Sequence, residues 1–327
     1  MGMAYKIAIN GYGNLGRGTE LAIAQAEDLE LVGIFTRRDP ASVTSATGAP
    51  VISLDELPQW AERIDVLANC GGSATDLAEQ TPAALAYCNT VDTFDTHPKI
   101  PEYFASVDEA ARQAGHLGLI SVGWDPGLFS IARVYAEAVL PQGESTTFWG
   151  RGVSQGHSDA IRRIEGVADA KQYTIPIESA MEAARRGEAG ALTTREKHLR
   201  ECWVVLEEGA DADAVREAIV TMPDYFADYD TTVNFISAEE LAANHAGMPH
   251  GGFVIRSGRT SVENAQTIEY ALTLDSNPEF TGSMVAASAR AVARMAEAGE
   301  VGARTLFDVA PGLLLPQSGE ELRAHML

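Results

Sequence analysis

An α/β protein with two domains is the fold class that the sequence predicts, and three features support it. The 327 residues are enough for two ordinary domains. In the first third, short apolar runs alternate with helical patterns, which is typical of a doubly wound parallel sheet of the Rossmann type. After residue 145 the strands become rich in β-branched and aromatic residues, which predicts a second α+β domain with a mixed or antiparallel sheet.

In the first domain, expected over residues 1–122, each strand signal is followed by a helical one. The strand "YKIAIN" leads into a glycine-rich loop, a helix from Leu15 to about Ala26 and the strand "LELVGIFT". The later strands are predicted at Ile64–Cys70, Cys88–Phe94 and Leu117–Val122, and the helices at Asp76–Tyr87 and Pro101–Ala114.

The second domain is expected over residues 123–298. Its strands are predicted in the stretches "TTFWG", "KQYTIPI", "ECWVVLEE", "TTVNFIS", "GGFVIRSG" and "TIEYALTLD". Helical patterns at Ser179–Gly187 and Asp211–Met222 interrupt them. A long helix from about Pro278 to Ala298 is predicted to return the chain, so that residues from about 299 to 327 complete the first domain.

Composition excludes some classes of function. Hydrophobic residues make up 46% of the chain, charged residues 21%, and the formal net charge is −22. This balance argues against nucleic-acid binding, which needs basic residues to displace counterions from phosphates. The acidity fits either a salty habitat or a well-hydrated surface, and the sequence leaves both open.

The absence of targeting signals and the spacing of the cysteines favour a cytoplasmic location. No apolar run is long enough to span a bilayer, and the start "MGMAYKIAIN" lacks the basic flank and cleavage site of a signal peptide. Cys70, Cys88 and Cys202 show no CxxC spacing and are expected to be reduced, mostly buried thiols. We therefore expect a cytoplasmic protein that does not bind membranes.

The stretch "GYGNLG", Gly11–Gly16, fits the pattern G-x-G-x-x-G directly after a strand and at the start of a helix. Gly11 permits the tight turn, Gly13 lets the backbone approach a pyrophosphate, and Gly16 allows the helix to pack closely on the strand. The helix N-terminus then faces the negative charge. Because the strand and the helix are both present, the motif predicts a dinucleotide site.

The end of the second strand indicates which dinucleotide binds. An NAD enzyme usually carries Asp or Glu here, to bond the ribose 2′-hydroxyl. This chain instead has Thr36, Arg37 and Arg38, whose hydroxyl and guanidinium groups suit a 2′-phosphate. The alternative is a solvated arginine pair at the start of a loop. We expect NADP(H) as the cofactor.

Polar residues also follow three further strands, in "CGGSATD", "VDTFDTH" and "GWDPG". In sheets of this kind, ligands bind beyond the carboxyl ends of the strands. Asp125 in "GWDPG" could simply precede a proline at a strand-to-helix turn. With polar side chains at three consecutive strand ends, we expect Asp92, Asp95 and Asp125 at the crevice where nicotinamide and substrate meet.

Nine segments together resemble the meso-diaminopimelate dehydrogenase family nearly from end to end. They are "GYGNLGR", "LVGIFTRR", "GSATD", "VDTFDTH", "STTFWGRGVSQGHSDAIRRI", "RRGEAG", "TMPDYF", "HAGMPHGG" and "LDSNPEFT". The resemblance implies an NADPH-linked enzyme acting on the D-centre of meso-2,6-diaminopimelate. It also implies a homodimer with dinucleotide-binding, dimerisation and substrate-binding regions. Departures are small: the family often has Ser, Met and Tyr where Thr36, Gly71 and Phe94 stand.

The implied reaction is the reversible oxidative deamination of the D-centre to L-2-amino-6-oxopimelate and ammonia, which needs a proton acceptor. The lysines lie in unpromising places, so carboxylates are the candidates. We expect Asp95 and Asp125 to bind the D-amino group, with Asp125 as the proton acceptor and Asp92 as the next candidate. Asp92 could instead cap a turn at its strand end.

The far L-centre of the substrate must be anchored to select one isomer. By resemblance its ligands are Thr174, Arg200, His250 and Asn277, and Arg suits a carboxylate. The whole predicted substrate site is Asp95, Trp124, Asp125, Trp149, Gln155, Gly156, Thr174, Arg200, His250 and Asn277. The predicted cofactor site is Gly11, Tyr12, Gly13, Asn14, Leu15, Thr36, Arg37, Arg38, Cys70, Gly71, Gly72, Ser73, Thr75, Thr93, Phe94, Asp95, Pro126 and Gly127.

Two other functions stay open from the sequence. One is a related NADPH oxidoreductase or a D-amino-acid dehydrogenase with broader substrates, which would have a more permissive L-end pocket. The other is a non-catalytic NADPH-binding regulator, which need not keep Asp95, Asp125, Arg200 and His250 together. His157, His245 and His250 have no metal-site spacing, so no metal is expected.

Overall fold

The computed structural model describes residues 4–327 as two compact units. One unit contains the chain up to Ile131 together with Pro278–Leu327, and the other is Ala132–Asn277. Residues 1–3 begin both the predicted first domain and the segment in which no signal peptide was recognised, and they lie outside the described residues.

The first unit begins with alternating strands and helices, as the apolar runs predict. They are Tyr5–Asn10 (β1), Asn14–Ile23 (α1), Leu29–Thr36 (β2), Val51–Ser53 (β3), Leu57–Trp60 (α2), Val66–Asn69 (β4), Leu77–Ala84 (α3), Asn89–Asp92 (β5), Ile100–Ala114 (α4), Leu117–Leu119 (β6) and Leu128–Val139 (α5). The sequence-based elements are confirmed to within a few residues, while the short β3 and α2 were not predicted.

The second unit contains two sheets and the helices that pack on them. Its elements are Gly143–Trp149 (β7), Gly152–Val153 (β8), Gln155–Arg162 (α6), Val167–Pro176 (β9), Glu178–Arg185 (α7), Thr194–Lys197 (α8), His198–Leu206 (β10), Ala212–Val220 (α9), Asp230–Phe235 (β11), Ala238–Asn244 (α10), His250–Arg259 (β12) and Ala265–Leu274 (β13). The chain then continues through Asn277–Glu297 (α11), Gly302–Arg304 (β14) and Gly319–Met326 (α12).

The sheet of the first unit is parallel and seven-stranded, in the order β14-β6-β5-β4-β1-β2-β3. Its central strands are apolar on both faces because helices cover both, as parallel sheets require. The second unit has a mixed four-stranded sheet, β11-β10-β9-β8, and an antiparallel three-stranded sheet, β13-β12-β7. The predicted fold class is confirmed.

The units divide the chain at other positions than the expected 122 and 299. The first boundary falls within α5, and the return to the first unit comes at Pro278, before α11. The physical reason is the apolar side of α11, where Val285, Ala289 and Val292 share one buried cluster with Ile7 and Ile9 of β1. This helix is therefore part of the first unit's core.

Candidate active site

The loops after five parallel strands meet at one edge of the first unit's sheet. They follow β1, β2, β4, β5 and β6, and the residues of the predicted cofactor site lie in these loops or at the adjoining ends of α1 and β2. They are Gly11–Leu15, Thr36–Arg38, Cys70–Thr75, Thr93–Asp95 and Pro126–Gly127. The topology thus brings together residues that are up to about a third of the chain apart in sequence.

The glycine-rich loop has the geometry that a bound pyrophosphate needs. Gly11 has a φ of +93°, and a Cβ on Gly16 would come within 2.2 Å of the Gly11 carbonyl oxygen. A Cβ on Gly13 would meet nothing within 4 Å, so the loop opens onto space at the N-terminal end of α1. The residues present therefore fit a dinucleotide.

Two guanidinium groups lie at the end of β2. Arg38 Nη2 donates to the Tyr12 carbonyl oxygen at 2.6 Å, and the Arg38 amide donates to Thr36 Oγ1 at 3.1 Å. Arg37, whose side chain is 64% exposed, donates from Nη2 to Asp76 Oδ1 at 2.6 Å. Arg38 is thus fixed by the glycine-rich loop, while Arg37 is held from the loop after β4.

Asp76 was not among the predicted site residues. Its other oxygen accepts from the Gly72 amide and from Thr75 Oγ1, both at 3.0 Å. Burial raises the pKa of Asp76, but the Gly72 amide, Arg37 and Thr75 outweigh it and the pKa is lowered overall. An anion that binds Arg37 must therefore share that guanidinium with Asp76. In the sequence, Asp76 is visible only as an acid at the start of a helix, and such an acid usually caps the helix.

Ser73 links the loops after β4 and β5. Its hydroxyl donates to the Thr93 carbonyl oxygen at 3.4 Å and accepts from the Asp95 amide at 2.9 Å. The Asp95 side chain is exposed at this edge. The loop contacts therefore orient the backbone of Asp95 while leaving its carboxylate accessible to a ligand.

Asp92 is enclosed rather than open to the crevice. Its Oδ1 accepts from the amides of Phe94 (3.0 Å) and Ser121 (3.2 Å), and its Oδ2 accepts from the hydroxyls of Thr81 (3.0 Å) and Tyr103 (2.5 Å). Burial of the carboxyl, which is fully inaccessible to solvent, raises its pKa. The catalytic role of Asp92 stays a prediction, and this geometry favours a role in holding the loops after β5 and β6.

The stretch "GWDPG" forms a tight turn between β6 and α5. Gly127 has a φ of +130°, and a Cβ there would lie 1.9 Å from the Gly123 carbonyl oxygen, so only glycine fits. The buried Trp124 meets Phe129 edge-on, with ring centroids 5.4 Å apart. Asp125, at the tip of the turn, is half-buried. The turn thus presents one carboxylate beside an aromatic wall.

The three departures from the family pattern occupy defined places in the first unit. The Thr36 hydroxyl accepts from Arg38, as described above. Phe94 is buried and stacks on Tyr103 with centroids 4.0 Å apart. A Cβ on Gly71 would lie 2.8 Å from the Cβ of Asp76, so a larger residue there would displace the acid that holds Arg37.

In the second unit, Arg200 and Thr174 face each other across β10 and β9. The two residues are register partners, and Arg200 Nη1 donates to Thr174 Oγ1. The Arg200 guanidinium also lies 3.8 Å from the centroid of the Tyr229 ring. Only 6% of Arg200 is exposed, and burial lowers the pKa of its guanidinium. Among residues 4–327 no carboxylate lies within ion-pair distance of Arg200, and its Nε is buried without a hydrogen bond.

Met248 contacts two of the predicted substrate residues, Asn277 and Gln155. Its carbonyl oxygen accepts from the Asn277 amide at 2.9 Å, and its sulfur accepts from Gln155 Nε2 at 3.3 Å. His250, two residues further on, begins β12, where its ring packs on Gly152. Met248 lies in the segment "HAGMPHGG" and was not among the predicted site residues.

Trp149 is supported from behind by His198, which sequence reasoning missed. The Trp149 amide donates to His198 Nε2 at 2.9 Å, and the two rings stack with centroids 5.4 Å apart. Burial lowers the pKa of His198 to about 3, so the ring is neutral and can accept this bond. A histidine in an apolar strand gives no sequence signal that distinguishes it from ordinary core packing.

The other histidines considered for a metal have different partners. Burial lowers the pKa of His157 to about 4, and its Nδ1 is 2.7 Å from Ser154 Oγ. His245 bonds the Tyr173 hydroxyl at 2.9 Å and stacks on Trp203. Within the described part of the chain no group of His, Cys, Asp and Glu is arranged to hold a metal ion. That the reaction uses no metal stays a prediction.

These features together define a dinucleotide-dependent oxidoreductase. The parallel sheet carries a glycine-rich loop, two arginines and two accessible carboxylates at one edge, and the second unit carries the buried guanidinium of Arg200 beside the Thr174 hydroxyl. Such a cation suits an acidic group of a small substrate. No helix in residues 4–327 is long and apolar enough to cross a membrane.

Comparison with known proteins identifies the family. The Diaminopimelic acid dehydrogenase C-terminal domain matches residues 123–276. The chain is 59% identical to the meso-diaminopimelate D-dehydrogenase of Lysinibacillus sphaericus, over 99% of each chain. It superposes on the diaminopimelate dehydrogenase of Corynebacterium glutamicum in complex with diaminopimelate with a TM-score of 0.93, at 49% identity over all of both chains. An engineered D-amino acid dehydrogenase bound to NADP+ matches with a TM-score of 0.88, at 47% identity over 99% of this chain and 100% of that one.

The chain therefore belongs to the meso-diaminopimelate D-dehydrogenase family, oxidoreductases that act on CH–NH2 donors. The family resemblance read from the sequence is confirmed.

Proposed function

We propose that this chain is an NADP-dependent dehydrogenase that oxidatively deaminates the D-centre of meso-2,6-diaminopimelate. The products are L-2-amino-6-oxopimelate and ammonia, and the reaction is reversible. The family membership supports this proposal, and so does the chemistry of each unit taken by itself.

The observation that carries the proposal is the buried, carboxylate-free environment of Arg200. A buried cation is unfavourable unless an anion compensates it, and here the residues around it supply a hydroxyl and an aromatic face instead. A substrate carboxylate would supply the missing charge and would bond the unpaired Nε. We therefore assign the distal L-carboxylate to Arg200 and Thr174, with His250 and Asn277 beside it.

The cofactor assignment rests on the first unit. The glycine-rich loop would hold the pyrophosphate, and Thr36, Arg37 and Arg38 would hold the adenosine 2′-phosphate. When bound, NADP+ supplies the acceptor for a hydride from the D-carbon. The remaining chemistry is proton transfer and orientation by the chain itself.

Asp95 and Asp125 are the carboxylates available for the D-ammonium group. Both stand in loops at the cofactor edge, one exposed and one half-buried. We propose that both accept hydrogen bonds from the ammonium and that Asp125 takes the proton needed for deamination. Asp92, enclosed beneath the same loops, would hold them in position. Trp124 and Trp149 would form apolar walls, and Gln155 and Gly156 would contribute polar contacts near the α6 N-terminus.

Substitution of Asp125 by Ala tests the catalytic assignment. NADPH affinity, measured by titration calorimetry, should be unchanged within about twofold, while turnover of meso-diaminopimelate with NADP+ should fall by about a hundredfold or more. Unchanged turnover would contradict the role of Asp125. Loss of NADPH binding would show that the variant disturbs the cofactor loops instead.

We also propose a homodimer in the cytoplasm. The second unit exposes the apolar side chains of Val134, Tyr135 and Val139 on α5 and of Tyr270 on β13, an edge strand of its sheet. A second copy of the chain would cover such exposed apolar side chains. Light scattering should give twice the chain mass, and a monomer at micromolar concentration would contradict the proposal. Cell fractionation tests the location.

A further inference from the structure

Glu20 is a fully buried acid in α1 whose surroundings are unusual. Its hydrogen-bond partners within residues 4–327 are neutral: three hydroxyl groups and two backbone amides. A buried carboxylate is usually paired with a cation, because desolvating a lone charge is costly. Five donors directed at one carboxylate indicate that this region is built around the anion.

Each oxygen of Glu20 holds a different part of the surroundings. Oε1 accepts from Ser45 Oγ at 2.5 Å, from Thr47 Oγ1 at 2.6 Å and from the Thr47 amide at 2.9 Å. Oε2 accepts from the Tyr12 hydroxyl and from the Ala46 amide, the latter at 3.0 Å. The hydroxyls of Ser45, Thr47 and Tyr12 outweigh the effect of burial and lower the pKa of Glu20 to about 2. The carboxylate is therefore ionised at neutral pH.

These bonds join three segments of the cofactor edge. Tyr12 belongs to the glycine-rich loop, residues 45–47 lie in the segment between β2 and β3, and Glu20 lies on α1. The Tyr12 carbonyl oxygen accepts from Arg38, whose amide in turn bonds Thr36. Glu20 is thus connected through Tyr12 to Arg38 and Thr36, two of the three residues that would hold a 2′-phosphate.

Electrostatics alone would disfavour an acid at the position of Glu20. A buried anion near a phosphate site repels the ligand, so Glu20 costs affinity unless it improves the geometry of the donors. Its contacts do the latter, because they restrain the Tyr12 ring and the loop after β2 before any ligand binds. Restraining a site in its binding geometry reduces the ordering entropy lost on binding.

We propose that Glu20 is a positioning residue for the cofactor: through Tyr12 and Arg38 it fixes the site that receives the adenosine 2′-phosphate of NADP. This inference rests on the NADP assignment made above. Glu20 itself does not contact the ligand in this account.

Glu20→Gln is the test, because glutamine keeps the shape and inverts part of the hydrogen bonding. An amide nitrogen in place of Oε2 would face the Ala46 N–H, donor against donor. Binding is measured calorimetrically on the whole protein with NADPH, 2′,5′-ADP and 5′-AMP. We expect Kd to rise about tenfold for NADPH and 2′,5′-ADP, about 1.4 kcal/mol, with 5′-AMP changed less than twofold.

Two further variants make the test specific. Glu297→Gln is the matched control, because Glu297 accepts a Tyr5 hydroxyl at 2.8 Å on the exposed surface of the same unit, and its affinities should equal those of the wild type. Tyr12→Phe removes the Tyr12–Glu20 bond, together with the bond that the Ala46 amide donates to the Tyr12 hydroxyl, and should reproduce part of the loss. It also carries the test if Glu20→Gln does not fold.

Three results would overturn the inference. Unchanged affinities in both Glu20→Gln and Tyr12→Phe would mean that Glu20 does not position the phosphate site. An equal loss of affinity for 5′-AMP and 2′,5′-ADP would mean that Glu20 does not act on the 2′-phosphate. A wild-type protein that binds neither NADPH nor 2′,5′-ADP would overturn the NADP assignment and this inference with it. In contrast, tight NADPH binding by the wild type with unchanged affinities in both variants would refute this inference and leave the NADP assignment standing.

Discussion

Substitution of Arg200 by Met should separate activity from stability. Methionine keeps the apolar stem of the side chain and removes the guanidinium. In the proposed complex the guanidinium makes two charge-assisted hydrogen bonds to the distal carboxylate, each contributing about 1.5–3 kcal/mol. The sum, about 3–6 kcal/mol, corresponds to a fall of about 10² to 10⁴ in kcat/KM for meso-diaminopimelate.

The same substitution should leave folding intact. Without substrate, Arg200 is a buried cation whose contacts are Thr174 and the Tyr229 ring, and burial lowers its pKa. Removing a poorly compensated buried charge relieves a desolvation cost. We therefore expect the free energy of unfolding in urea to stay within about 1 kcal/mol of the wild type, or to rise.

Initial rates and urea unfolding are measured on the same preparation. D-lysine, which lacks the distal carboxylate, is the control substrate, and its kcat/KM should be nearly the same in the wild type and Arg200→Met. If meso-diaminopimelate and D-lysine lost activity equally, or if the variant were destabilised by about 3 kcal/mol, Arg200 would be a structural residue and the reasoning would be refuted.

Three further predictions concern packing and charge. His198→Leu leaves the Trp149 amide without its buried acceptor. The free energy of unfolding in urea should therefore fall by about 1–3 kcal/mol, and KM from initial rates should rise. An unchanged KM would show that His198 does not support the substrate site. The pKa of Glu20 is lowered from 4.5 to about 2, so its ionised form stabilises the fold by at most about 3 kcal/mol above pH 4.5, and this contribution is lost as the pH falls towards 2. The stability difference between the wild type and Glu20→Gln should therefore shrink from pH 7 to pH 2.5 in urea titrations, and a difference independent of pH would be evidence against this charge effect. A Cβ on Gly282 would lie 2.3 Å from the Gly18 carbonyl carbon. Gly282→Ala should therefore force α11 and α1 apart and lower the free energy of unfolding by about 1–3 kcal/mol. Ser283→Ala on the same helix is the control and should be nearly neutral in thermal unfolding.

The sequence predicts most of the first unit because its local signals agree. The run "YKIAIN", the glycine-rich loop and the pattern from Leu15 all indicate a strand, a turn and a helix, and tertiary packing does not override them. The helix α6 is different. It has only eight residues, of which Ala160 and Ile161 are the apolar ones, so the segment is too short and too polar for a helical pattern to be recognised.

Contacts between distant elements are what the sequence could not supply. Asp92 reads as one of three strand-end acids, yet Thr81 of α3 and Tyr103 of α4 enclose it. Glu20 reads as the polar residue of an amphipathic helix, which is usually solvated, and only the path of residues 45–47 buries it. Residue type and spacing predict which residues form the site, whereas the division of roles among its acids depends on the fold.

The most direct test of the account is NADPH formation from NADP+ with the separate meso, LL and DD isomers of diaminopimelate at alkaline pH. The account predicts signal with the meso isomer, which has a D-centre to oxidise and an L-centre to anchor, and little with the LL isomer or with NAD+. It also predicts that D-lysine reacts far more slowly. Equal rates with D-lysine would contradict the anchoring role of Arg200 and favour a broader D-amino-acid dehydrogenase. Absence of turnover with every isomer, in a protein that still binds NADPH, would contradict the proposed catalysis itself.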